Sequence, residues 1–148
     1  MTDPTRTGAP GFTSTARLNR ARAARHQTTG MDKAAIIVLA DTETHADLGR
    51  LVNALSTADE FPEHGHEVTI IFDGAGVRWA AELSNPQHRL HERFEGLRDR
   101  IAGACHYCAG AFEVREELEQ IGFPLLRDHK GHPSLRSLVN DGYEVITF

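Results

Sequence analysis

The sequence predicts a three-layer α/β domain, in which a mainly parallel sheet of five strands is covered by helices on both sides. Three observations carry this prediction. Short apolar runs of strand length recur along the chain, stretches of helical period separate them, and Gly, Pro, Asn or Asp stands at the junctions. A chain in which strands alternate with helices makes crossover connections, and such connections join parallel strands.

The first two strands are the clearest elements. Residues 34–40 are an unbroken apolar run, which indicates a strand buried on both faces. Thr44 and Asp47 have the spacing of a capping box, so a helix is predicted to begin there. Gly65 separates this helix from the second strand, residues 67–72. The apolar stripe of the helix comprises Leu48, Leu51, Val52 and Leu55.

The middle of the chain is predicted to contain a turn and two helices. Residues 73–76 form the turn, and a short helix passes through Trp79 and Leu83. Asn85 and Pro86 have the pattern of a cap followed by Pro at the first helical position, so a second helix is predicted from there. The apolar face of that helix comprises Leu90, Phe94, Leu97 and Ile101.

The last third of the chain completes the sheet. A third strand is predicted over residues 100–104, and a helix follows it and ends at Gly122, which is a typical helix C-cap. Residues 123–126 form a brief fourth strand, residues 133–142 a last helix, and residues 143–148 the fifth strand. The inward positions of the two helices are predicted to be Ala111, Val114, Leu118 and Ile121, then Leu135, Leu138 and Val139.

Composition restricts the classes of function. The 148 residues are enough for one domain with its own core, and no apolar run reaches the roughly 20 residues of a membrane span. Residues 31–148 carry 11 Lys and Arg against 20 Asp and Glu, which argues against binding to nucleic acid. Two cysteines this close together cannot form a disulfide that stabilises a secreted fold across distant parts of the chain. We therefore expect the protein to be located in the reducing cytoplasm.

Residues 1–30 differ from the rest of the chain. They hold five Arg and one acid, and almost no large apolar side chains. Such a segment cannot bury enough surface to order itself. We interpret it as a disordered basic tail, an Arg-rich transit-like segment, or an upstream extension of a protein that starts at Met31, with the folded domain over residues 31–148.

Cys105 and Cys108 are the only cysteines and have the spacing of a CxxC motif. The first of them follows the predicted third strand and precedes a helix. Free backbone N–H groups and the helix dipole at such a junction favour a thiolate over a thiol. His106 lies between the two sulfurs in sequence, where as a cation it would lower a thiol pKa, or else it points to solvent. A thiolate here is a nucleophile, a metal ligand or half of a disulfide.

Other polar residues are expected beside the cysteines. Ligands of parallel sheets bind at the carboxyl ends of the strands, where Asp41, Asp73, Cys105 and the segment around His129 are placed by the pattern. We therefore take Asp41, Asp73 and His129 as candidate substrate-binding residues. A zinc site is the alternative for the same region, but a chain that already has a core has less need of structural zinc, and we favour a polar loop for the histidines. The ligands of that zinc site would be Cys105, Cys108, His129 and His132.

Four parts of the chain carry a family resemblance: residues 47–55 (DLGRLVNAL), residues 68–77 (VTIIFDGAGV), the strand-end Cys105 and the closing residues 145–148 (VITF). Together these segments resemble the DsrE/DsrF-like family of small sulfur-relay and sulfurtransferase proteins. In this order they span nearly all of residues 33–148.

The resemblance implies a flavodoxin-like sheet, assembly into trimers or hexamers, and a reactive cysteine after the third strand that carries sulfane sulfur as a persulfide. That position corresponds to Cys105. We accordingly expect a cytoplasmic sulfur carrier or sulfurtransferase in which Cys105 accepts the sulfur, Cys108 resolves the persulfide as a disulfide, and His106 tunes the local charge.

The expected partners are sulfur donor and acceptor proteins or small thiols and further copies of the chain, without nucleic acid, membrane, cofactor or resident metal. Two alternatives stay open. One is a non-catalytic oligomeric interaction module of the same fold with structural cysteines. The other is a protein that binds a metal through its Cys and His residues.

Overall fold

A computed structural model describes residues 32–148, and the predictions made for residues 1–30 lie outside this range. The strands are β1 (Lys33–Val38), β2 (Glu67–Phe72), β3 (Ile101–Cys105), β4 (Leu125–Leu126) and β5 (Glu144–Thr147). They form one all-parallel sheet in the order β4-β3-β2-β1-β5. The α-helices described are α1 (His45–Glu63), α2 (Val77–Ser84), α3 (His91–Gly96), α4 (His106–Ala111), α5 (Arg115–Gln120) and α6 (Leu135–Asn140), with 3₁₀ turns at Gly74–Gly76 and Arg98–Arg100. The predicted three-layer α/β class is confirmed.

The strand order places the helices on two faces of the sheet. The chain proceeds from β1 to β4 in one direction and then crosses back to β5 beside β1. Because crossovers are right-handed, the helices of the first series lie on one face and α6 lies on the other. The packing agrees: Ile36 belongs to a large core with α1 to α5, whereas Ile37 packs in a small cluster with Leu138 of α6.

Helix α1 begins as the sequence predicts. The Thr44 side chain accepts the Asp47 N–H, and the Asp47 carboxylate accepts the Thr44 N–H, so the capping box is complete. The prediction of a helix that starts at Pro86 is wrong, because α3 begins only at His91. The Asn85 side chain accepts the Gln87 N–H instead, which makes residues 85–90 a run of turns.

The prediction of a single helix after the cysteines is also wrong, because two separate helices, α4 and α5, are formed there. Glu113 has a φ of +59°, and the Val114 N–H donates to Ala109 O while the Glu113 N–H donates to Gly110 O. This is a Schellman arrangement that ends α4 after six residues, with Glu in place of the usual Gly. Leu118 on α5 is buried as predicted, but Ile121 is exposed.

Helix α6 also departs from its predicted outline. It starts at Leu135 because the Ser134 side chain accepts the Ser137 N–H and caps it. Leu138 packs inward as predicted, whereas Leu135 and Val139 are exposed. Within residues 32–148, α6 is the helix that covers this face of the sheet, and a helix of six residues buries only a narrow apolar stripe.

None of the helices in residues 32–148 is both long and apolar enough to cross a membrane.

Candidate thiol site

The site lies where β2 and β3 end and where the chain passes from β4 to α6. The connection after β3 runs over one face of the sheet and the connection after β4 over the other, so these neighbouring strands enclose a topological switch point. Open α/β sheets bind ligands in the crevice at such a point. Four chemically capable side chains meet here: Asp73, Cys105, Cys108 and His132.

Cys105 is the last residue of β3 and the N-cap of α4. Its Sγ accepts the backbone N–H of Cys108 at 3.4 Å and lies 3.2 Å from His132 Nδ1. The residue is 0 % exposed and belongs to the large core. The sulfur is therefore a buried atom paired with an imidazole.

Cys108 is held by a different partner. Its Sγ donates to Asp73 Oδ1 at 3.2 Å, and it lies 4.0 Å from His132 Nδ1. Asp73 directly follows β2, and its Oδ1 also accepts the Gly74 N–H at 2.8 Å, which caps the 3₁₀ turn. The two thiols thus differ in chemistry, one beside a base and the other beside a carboxylate.

A tight turn delivers His132. The backbones of His129 and His132 exchange N–H···O bonds of 2.8 and 2.9 Å, and the two residues between them have positive φ, +50° at Lys130 and +87° at Gly131. These are the signs of a type I′ turn. The Gly131 carbonyl accepts the N–H of Tyr107 at 2.9 Å, and the Tyr107 ring lies 4.7 Å from that of His132. We call residues 129–132 the histidine turn.

Burial opposes the thiolate expected from sequence, because it raises the pKa of both cysteines above the ordinary value of a thiol. Burial raises the pKa of Cys105 to about 12, and the hydrogen bond from the Cys108 N–H opposes this only in part. Burial also raises the pKa of Cys108, and the nearby Asp73 carboxylate adds to the effect. Desolvation outweighs the N–H groups at the helix start because it disfavours the charged form of each sulfur.

The structure brings some of the predicted site residues together and leaves others apart. Asp73 joins both cysteines, whereas the Asp41 carboxylate accepts from Arg78 at 3.0 Å and is not among the four clustered groups. His129 is exposed at the far end of its turn, and His106 is half-buried beside Cys105. Roles for Asp41, His129 and His106 stay predictions.

His132 is the residue that the leading sequence hypothesis missed, since it entered only as a zinc ligand in the alternative. The signal was present in the Lys130-Gly131 pair. A Gly at the second position of a two-residue loop favours a type I′ turn, and such a turn pairs the residues on either side of it.

Comparison with known proteins agrees with the fold. The chain is 36 % identical over 96 residues to an uncharacterized protein of Methanocaldococcus jannaschii, a match that covers 65 % of this chain and 78 % of the relative. A solved conserved protein of unknown function from Bacteroides thetaiotaomicron superposes with a TM-score of 0.52 at 19 % identity, covering 79 % of this chain and 95 % of the other, and it shows the fold alone. The family model of the DsrE/DsrF-like family matches residues 32–148. The chain belongs to the DsrE/DsrF-like family.

Proposed function

We propose that this protein is a sulfur carrier that holds sulfane sulfur as a persulfide on Cys105. Membership of the DsrE/DsrF-like family suggests a role in sulfur relay in general terms. The observation that carries the specific proposal is the 3.2 Å pairing of Cys105 Sγ with His132 Nδ1. A sulfur paired with a base is the usual arrangement of an activated cysteine.

The chemistry is a transfer between thiols. His132 Nδ1 removes the proton of Cys105, and the sulfur attacks the outer sulfur of a donor persulfide R–S–SH. The S–S bond of the donor breaks, the proton goes to the leaving sulfur, and Cys105–S–SH and R–SH result. An acceptor thiol then attacks the outer sulfur of Cys105–S–SH and restores the Cys105 thiol, so no net oxidation occurs.

Cys108 offers a second way to discharge the carrier. Its Sγ and that of Cys105 lie within 4.8 Å of each other, and it can attack the inner sulfur of the persulfide. That step gives a Cys105–Cys108 disulfide and H₂S, and a reducing thiol must then open the disulfide. The Asp73 carboxylate keeps Cys108 protonated until then, which favours transfer to an external acceptor.

Loading requires the site to open. Cys105 is 0 % exposed, and both His132 and the Gly131 carbonyl lie against its sulfur. A donor therefore reaches Cys105 when the histidine turn moves away from α4. Donor and acceptor are proteins or small thiols, and the protein works as a homo-oligomer.

Sulfur loading of the metal-free protein tests this proposal. After incubation with inorganic polysulfide and removal of the excess, we expect the intact mass of the wild type to rise by one sulfur atom. Cys105→Ala should not gain this sulfur, because the carrier atom is gone. Cys108→Ala should gain it and keep it longer, because the resolving thiol is absent. His132→Asn should load at least about 100-fold more slowly, as expected on loss of a general base.

His129→Asn is the matched control, because it changes an exposed histidine of the same turn and should load at the wild-type rate. Sulfur uptake by Cys105→Ala equal to that of the wild type would refute the role of Cys105. A folded protein in which neither cysteine takes up sulfur, although both are alkylated after unfolding, would support a non-catalytic interaction module instead.

A further inference from the structure

The four side chains of the thiol site present a set of metal-binding atoms. Cys105 Sγ, Cys108 Sγ, His132 Nδ1 and one Asp73 carboxylate oxygen all lie within 4.8 Å of one another. The closest pairs are 3.2 Å apart and the Cys108–His132 pair is 4.0 Å apart. Ligands around a tetrahedral zinc ion are separated by about 3.3–3.8 Å, as follows from Zn–ligand bonds of about 2.0–2.3 Å. A contraction of about 1 Å therefore closes the site around an ion.

We propose that these four atoms bind one Zn²⁺ ion. Thiolate, imidazole and carboxylate ligands in a tetrahedral set are typical of zinc, and two sulfurs disfavour Mg²⁺ and Ca²⁺, which prefer oxygen. Binding replaces the protons of both thiols, which pass to solvent. The ion also compensates much of the negative charge that two thiolates and a carboxylate would otherwise concentrate in a partly buried site.

Surrounding contacts already orient the ligands. Asp73 Oδ1 is fixed by the Gly74 N–H, and Cys105 Sγ by the Cys108 N–H. The ring of Tyr107 packs against that of His132, and its backbone N–H anchors the histidine turn through Gly131. Such supporting contacts fix ligand geometry in metal sites. Three separate parts of the chain thus hold the four ligands in place before any ion binds.

This ligand set differs from the zinc site considered from sequence alone. The CxxC pair and His132 are common to both, but Asp73 takes the place of His129. The type I′ turn leaves His129 exposed while His132 reaches Cys105. Asp73 is 32 residues before Cys105 in the chain, so only the adjacency of β2 and β3 brings it to the site.

Zinc and sulfane sulfur would compete for Cys105, a consequence that rests on the proposed sulfur-carrier function. The same sulfur cannot ligate the ion and bear the outer sulfur in this geometry. Zinc occupancy would therefore protect the thiols and withhold the carrier from sulfur donors.

Metal titration of the full-length chain without a polyhistidine tag tests the site. Reduced, metal-free protein is titrated with Zn²⁺ against a chromophoric chelator, and native mass spectrometry counts bound ions. We expect one ion per chain, with a net loss of two protons in the mass. Co²⁺ as a probe should give the visible bands of a tetrahedral ion and the near-ultraviolet charge-transfer bands of two thiolates.

Variants locate the ion. Cys105→Ala, Cys108→Ala and His132→Asn should each weaken Zn²⁺ binding at least about 100-fold, and Asp73→Asn about 10-fold or more. His129→Asn again serves as the matched control and should bind like the wild type. Circular dichroism checks that each variant is folded, and the Co²⁺ spectrum of the wild type decides the question should a variant unfold.

A wild-type Co²⁺ spectrum without thiolate bands, less than one zinc ion per chain, or equal losses in His129→Asn and His132→Asn would overturn the metal site. The sulfur-loading assay on metal-free protein is separate. Zinc binding without sulfur loading would refute the sulfur carrier alone, and loading without zinc binding would refute the metal site alone. If both occur, Zn²⁺ must slow sulfur loading, and an unchanged rate would overturn the competition.

Discussion

Gly76→Ala is expected to leave the protein unfolded or destabilised by more than about 3 kcal/mol, because overpacking against rigid backbone is among the costliest substitutions. A Cβ on Gly76 would lie 2.0 Å from the carbonyl oxygen of Val38 and 2.7 Å from its carbon. Val38 ends β1, an inner strand between β2 and β5, and its carbonyl also accepts the Asp73 N–H at 2.9 Å. Gly76 has a φ of −59°, so the clash is purely steric and not a matter of backbone conformation. Urea unfolding, followed by the fluorescence of the buried Trp79, measures the loss.

Gly49→Ala is the matched control for this prediction. Gly49 lies inside α1, and a Cβ there would meet no atom within 4 Å. Alanine loses less backbone entropy than glycine in a helix, so this variant should gain about 0.5–1 kcal/mol. An unfolding midpoint of Gly76→Ala equal to that of Gly49→Ala would mean that the contact between the turn after β2 and the end of β1 is wrong.

The central strands were predictable because parallel strands are buried on both faces and read as continuous apolar runs. Strand β2 has the predicted bounds, and β1 begins one residue before the predicted run and ends two residues before its end. Their neighbouring positions, with Ile36 opposite Ile70, follow from the direct crossover through α1. Where the pattern reflects burial in the sheet, it identifies both the element and its place.

The breaks between helices were not predictable in the same way. The helical period continues from Ala111 through Val114 to Leu118, so periodicity alone joins α4 to α5. A non-glycine residue at positive φ, Glu113, interrupts them. Turns of this kind depend on tertiary contacts that outweigh the local backbone preference of the residue. A Glu with positive φ therefore cannot be recognised from the sequence.

The candidate site was predictable as far as it depends on strand ends. Cys105 is the last residue of β3 and Asp73 directly follows the neighbouring strand β2, so they meet at one edge of the sheet. The position of His132 depends on a turn type and on the Tyr107–Gly131 hydrogen bond, and no periodic pattern in the sequence predicts either of them. The prediction of a lowered thiol pKa at Cys105 was wrong for a related reason. The junction with α4 is a local feature, whereas the burial that raises the Cys105 pKa is a property of the whole fold.

The burial of Cys105 is expected to slow its alkylation strongly in the folded protein. In metal-free Cys108→Ala protein at neutral pH, we expect iodoacetamide to alkylate Cys105 at least about 100-fold more slowly in the folded state than in urea. The pKa of Cys105 rises from 9.0 to about 12 on folding, which lowers its thiolate fraction about a thousandfold, and its sulfur is inaccessible besides. Intact-mass measurements over time give both rates.

The pH dependence of the alkylation rate separates the effect of the raised Cys105 pKa from the effect of the inaccessible sulfur. Alkylation of the unfolded chain should level off above about pH 9, whereas the rate for the folded protein should keep rising toward pH 12. Because the folded state binds the thiol proton more tightly, Cys105 stabilises the fold below pH 9, and this contribution is lost as pH rises from 9 to 12. Cys105→Ala should therefore lose less stability over that interval than the wild type. Alkylation of folded and unfolded protein at equal rates would contradict the buried position of Cys105, on which both the need for the histidine turn to open and the protection of the sulfur depend.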